Sequence, residues 1–167
     1  MKKIYQTIFG IPNGNCMQAG IASLIGLDLN EVPNFIEFGN DWFCEIEGFL
    51  DNKGYQFVEK CPFLYNPNYC YFSNPTSSCF DKDFRCDKNY SFDTIDKYEG
   101  VDGLFVASVL SPKLFTFENF AQHMVVVNKN FDIVHDPNKE YAEIIEYPIS
   151  KLIGFNGLTD IWNICKK

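Results

Sequence analysis

Met17, Ile21, Leu24 and Ile25 recur at helical spacing and make one apolar stripe that ends near Gly26. Directly in front, Asn15-Cys16-Met17-Gln18 reads as a capping box, with Asn15 as the N-cap and Gln18 at the third helical position. A second short helix is expected to begin around Asn30-Glu31-Val32-Pro33, with Pro33 tolerated in its first turn. A third is expected from about Asp41 to Asn52, with Gly54 as its C-terminal cap. Tyr55 to Glu59 then reads as a short strand. From Lys60 to Glu99 the pattern dissolves into Pro, Asn, Ser, Asp and Tyr with scattered Cys. So long an irregular stretch is expected to be an insertion that covers or shapes a cleft. The last third returns to short apolar, partly β-branched runs. Leu104 to Leu110, Met124 to Val127, Phe131 to His135, Glu143 to Tyr147 and Ile161 to Cys165 are separated by turn residues. Helices followed by an antiparallel sheet give an α+β plan, with the N-terminal helices packed on the C-terminal sheet.

Composition narrows the classes. The 167 residues fit one domain, and 46% apolar with 22% charged is ordinary for a globular chain. There are 17 Phe and 9 Tyr, yet no apolar run approaches the length of a membrane span. Met1-Lys2-Lys3 leads into no continuous apolar segment of the signal-peptide kind, so a cytoplasmic protein without membrane attachment is expected. A net charge of −8 with Arg85 as the lone Arg argues against a nucleic-acid partner, leaving peptides, small molecules or a basic protein. The 7 cysteines are odd in number, so reduced thiols are expected rather than a disulfide framework. Cys61, Cys70, Cys79 and Cys86 contain no C-x-x-C pair and read as small buried apolar residues, with a metal or redox site as the rival reading. No cofactor or metal is called for.

Cys16 falls at the first position of the capped helix, where unpaired N–H groups and the helix dipole favour a thiolate. Gly14 would let a substrate approach the backbone closely. A nucleophilic thiol needs a base, and the chain has 2 histidines, His123 and His135. If the strands on either side join through a two-residue or four-residue loop around Lys129-Asn130, His123 lies opposite Asp136. The carboxylate would then fix the imidazole tautomer. A three-residue loop would put His135 opposite His123 instead, making His135 the alternative base or orienter. The bland readings stand beside these: a buried structural cysteine, a strand histidine bonded to backbone, and Asp-Pro-Asn as ordinary turn chemistry.

Gly14-Asn15-Cys16-Met17-Gln18-Ala19-Gly20-Ile21-Ala22-Ser23-Leu24-Ile25-Gly26-Leu27, followed by Glu31-Val32-Pro33, resembles the nucleophile helix of small C39-like, papain-fold proteins of bacteria and phages. His123-Met124-Val125-Val126-Val127, leading to Val134-His135-Asp136-Pro137, resembles the same family's His strand and Asp-Pro turn. The resemblance implies a papain-like cysteine peptidase or amidase acting on a peptide or protein. In it Cys16 is the nucleophile, His123 the base and acid, and Asp136 the orienting residue. The papain pattern also places a Gln shortly before the nucleophile to stabilise the oxyanion. Here Gln6 is further upstream and reaches the site only if Phe9 to Gly14 folds back; otherwise the backbone N–H of Cys16 and the Asn15 or Asn13 side chain are the donors. Deamidation, transglutamination and isopeptide cleavage would use the same residues. The rival from another class is a papain-fold binding module, an inhibitor or phage–host interaction factor, that has lost activity.

Overall fold

Helix α1 spans Cys16–Ile25 in the computed structural model, which describes residues 1–62, 98–111, 113, 121–141 and 158–167. The apolar stripe seats it: Ile21, Ala22 and Leu24 are buried, and Gly26 ends the helix at φ 80°, donating to the Ala22 carbonyl at 2.9 Å. Its start differs from expectation, because Asn15 makes no side-chain cap. Asn15 Oδ1 instead accepts from the backbone N–H groups of Thr7 (3.0 Å) and Ile8 (2.9 Å). Its Nδ2 donates to Gln18 Oε1 at 2.9 Å, and Gln18 Nε2 donates to the Leu29 and Val32 carbonyls at 2.9 and 2.6 Å. Loop backbone N–H groups that lack a ladder partner need acceptors as much as a helix end does, and here the loop takes the side chain.

No helix begins at Asn30 to Pro33 with Pro33 in its first turn. A short 3-10 turn occupies Leu29–Glu31, another runs over Phe35–Asp41, and Pro33 falls between them. The residue before a proline is pushed out of the helical region, and Val32 accordingly sits at φ −113°, ψ 129°. Helix α2 spans Trp42–Asn52, buries Ile46 and Leu50, and is followed by Gly54 at φ 80°.

Five strands complete the described fold: β1 (Tyr55–Pro62), β2 (Leu104–Leu110), β3 (Gln122–Asn128), β4 (Ile133–His135) and β5 (Leu158–Lys166). They form one antiparallel sheet in the order β1-β5-β2-β3-β4, so the described chain is α+β with helices preceding most of the sheet. Pairing with β5 carries β1 past Glu59 to Pro62, so the irregular stretch does not begin at Lys60. Residues 63 to 97 of that stretch, and the strand expected at Glu143 to Tyr147, fall outside the described residues. Alternation along the strands divides the core. Val106, Met124, Val126, Trp162 and Ile164 pack with α1 and α2, while Phe105, Ala107, Val109, Val125, Val127 and Ile161 form a second cluster with Tyr98. Among the described residues no helix is long and apolar enough to cross a membrane.

The β3–β4 connection is no longer than the loops expected, with four residues between Asn128 and Ile133, but its register differs from all of them. Asn128 Oδ1 accepts from the N–H groups of Asn130 (2.9 Å) and Asp132 (3.0 Å), and Phe131 takes a left-handed φ of 66°. Val127 therefore pairs with Ile133, and an irregularity then brings Val126 level with His135. Neither Asp136 nor His135 is directly opposite His123 in that register. Continued by the same count, it would set Asn138 level with His123 and leave Asp136 on the diagonal.

Candidate active site

Cys16 is the first residue of α1, and His123 lies near the start of β3, the strand on which α1 packs. The two side chains line one cleft and stand close enough for each to shift the other's titration. On its other side the buried His123 ring pairs through Nε2 with Asp136 Oδ1 at 2.7 Å, which leaves Nδ1 as the nitrogen facing the thiol. Asp136 follows β4 directly and is itself buried. The same Oδ1 accepts from the backbone N–H of Asn138 at 2.7 Å, so the turn that carries the carboxylate also aims it. Sequence reasoning thus named a Cys, a His and an Asp that the fold brings together, through a diagonal reach rather than the direct cross-strand pair.

The charges follow from these contacts. Burial alone pushes the Cys16 thiol up. The hydrogen bond from His123, its positive charge and the backbone N–H groups of Met124 and Met17 outweigh that and hold the thiol below its ordinary 9.0. For His123, burial works downward, but the bonds and charges of Asp136 and Cys16 raise it to about 9. Both shifts favour a thiolate beside an imidazolium over a neutral thiol beside a neutral ring.

His135 does other work. Its Nε2 donates to the Ile4 carbonyl at 2.7 Å, Tyr5 stands edge-on to it with centroids 5.1 Å apart, and burial holds it below the usual imidazole value. It is a neutral strut for the N-terminal segment rather than a second base at Cys16. Ser23 on α1 grips that segment as well, accepting from Ile4 N at 2.9 Å and donating towards the Ile4 and Ala19 carbonyls. Gln6 N donates to the Pro137 carbonyl at 3.0 Å. Residues 4 to 6 thereby tie the helix that bears Cys16 to the turn that bears Asp136.

The oxyanion candidates separate. The chain does fold back between Phe9 and Gly14: Gly14 N donates to Gly10 O at 2.7 Å and Asn15 N to Ile8 O at 3.1 Å. Gln6 consequently lines the cleft that holds Cys16 and His123. Its Nε2 donates to the Ile8 carbonyl at 3.3 Å, while Oε1 is buried without a partner among the described residues. Asn15 is a correction. Both hydrogens of its amide go to Gln18 Oε1 and Thr7 Oγ1, so its side chain is a brace and has none left for an oxyanion. Gly14 serves the fold-back rather than substrate approach, since a Cβ there would meet Gly10 O at 2.7 Å.

The cleft measures about 490 Å³. Among the lining residues that the sequence does not single out, three stand near His123 and Asp136. Tyr141 stands edge-on to the His123 ring (centroids 5.2 Å, 84°), Ser111 Oγ lies 3.5 Å from Tyr141 Oη, and Asn138 forms the turn beside Asp136. Asn138 was legible only as turn chemistry, and nothing local in the sequence relates Tyr141 to His123. Among the described residues there is no cluster of His, Cys, Asp and Glu able to hold a metal ion, and Cys16, Cys44 and Cys165 are free thiols; Cys70, Cys79 and Cys86 lie outside them. In comparisons with known proteins, no family model, curated protein or solved structure matches the chain.

Proposed function

We propose that this chain is a papain-like cysteine hydrolase that cleaves a peptide or amide bond through a thioester on Cys16. One observation carries the reading: Asp136 hydrogen-bonds His123, which stands beside Cys16 in a cleft, with the thiol lowered and the imidazole raised. The thiolate Sγ attacks the carbonyl carbon, and the C–O double bond opens to an oxyanion. The backbone N–H of Cys16 and the second amide hydrogen of Gln6 are the donors assigned to it. As the C–N bond breaks, imidazolium Nδ1 gives its proton to the departing nitrogen, leaving a thioester and neutral His123. His123 then takes a proton from water, the hydroxide attacks the thioester, and the acid leaves as the thiolate–imidazolium pair is restored. Asp136 keeps Nε2 protonated throughout, so that Nδ1 is the nitrogen that exchanges the proton.

The test is the rate of Cys16 alkylation by iodoacetamide across about pH 4 to 9, located by mass spectrometry, with exposed Cys44 as the internal reference. Cys16 is expected to react faster than Cys44 below neutral pH and to lose that advantage in His123→Ala, because the variant removes both the hydrogen bond and the charge that lower the thiol. Equal, slow labelling of both cysteines would remove the hydrolase reading and leave a cleft built for binding.

A further inference from the structure

Phe9 and Ile11 are large apolar side chains left 60% and 63% exposed, and both line the cleft that contains Cys16 and His123. Their exposure belongs to a braced loop. Gly14 N closes onto Gly10 O, Asn15 N onto Ile8 O, and the buried Asn15 side chain holds Thr7 and Ile8 from below. An apolar surface fixed open in this way lowers its free energy when a ligand covers it. The cleft's other charged residues do not compete for that ligand. Lys113 and Glu140, which also line it, are of opposite sign and pair with each other, so together they add no net charge to the cleft.

From this we propose that Phe9 and Ile11 form the specificity wall of the cleft, taking a branched aliphatic or aromatic side chain of a peptide next to the carbonyl that Cys16 attacks. The inference rests on the hydrolase reading and adds the substrate class to it. Pro12 and Ile36 line the same cleft and extend the apolar wall, giving the incoming side chain contact from more than one residue.

Two reagents with the same warhead test the wall: iodoacetamide and its N-benzyl derivative, each reacted with the full chain and timed at Cys16 and Cys44. Thiolate sulfur displaces iodide in both, so the ratio of the two rates isolates the contribution of the benzyl group. At Cys16 the benzyl reagent is expected to gain at least about tenfold over its ratio at Cys44, the scale of an apolar contact in a pocket. In Phe9→Ser/Ile11→Ser, which alters exposed positions, the Cys16 ratio should fall to that of Cys44. Fast iodoacetamide labelling of Cys16 with no benzyl preference would overturn the wall and leave the nucleophile standing. Slow labelling by both reagents would overturn both.

Discussion

At the scale of single residues, burial works against the charge on His123, and the Asp136 carboxylate, with Cys16, overcomes it through a buried hydrogen bond to Nε2 and a negative charge. Acylation needs thiolate and imidazolium together. Its rate should rise as pH passes the lowered value of Cys16 and fall as pH passes about 9, where His123 gives up its proton. Asp136→Asn keeps the shape and removes the charge, so the alkaline limb should move down by about one to two pH units. A limb that stays near pH 9 in the variant would detach Asp136 from the site. Stability is linked to pH in the same direction. A raised histidine contributes fully below its unfolded value of 6.5 and loses that contribution as pH climbs through about 9.

At the scale of elements, the loop between Gln6 and Asn15 couples helix α1 to the cleft. Gly14 is the point where its two arms touch, and a Cβ there meets backbone rather than a side chain that can swing away. Gly14→Ala should therefore cost about 1 to 3 kcal/mol in a urea titration and slow alkylation of Cys16 as the loop opens. Gly26→Ala provides the contrast. It strains the left-handed residue that ends the same helix, where a Cβ has nothing within 4 Å, and should destabilise without slowing Cys16. If both variants slow Cys16 alike, the loop has no particular hold on the nucleophile. Asn15 shows why the element was only half legible. The residue in front of a helix was read from its local pattern as a cap, whereas its position 2% exposed among loop N–H groups sets its partners.

At the scale of the whole molecule, Trp162 joins the sheet to the helical layer. It stacks on Trp42 with centroids 5.7 Å apart and meets Phe57 edge-on at 5.9 Å, linking β5 to α2 and β1. Trp162→Ala should lower stability by about 3 to 5 kcal/mol, read as a drop in the urea midpoint with the slope of the transition unchanged. A small loss would mean that the helical layer closes over the gap. The strand that carries Trp162 lies between β1 and β2, although it comes last in the chain. Closing the sheet therefore joins residues more than a hundred positions apart, as in the pair Tyr55 and Lys166.

Local chemistry alone determined helix α1 with Cys16 at its first residue, the apolar strands β2, β3 and β5, and a short choice of histidines to stand beside the thiol. Helical and strand periods are set by neighbours a few residues away, so they can be read along the chain. The sheet order, the β3–β4 register, the brace made by Asn15 and the separate duty of His135 were decided only in three dimensions. Each depends on which of several donors and acceptors meets a partner from a distant segment. That competition is resolved by packing, because a buried polar group must find a partner wherever the fold has put one.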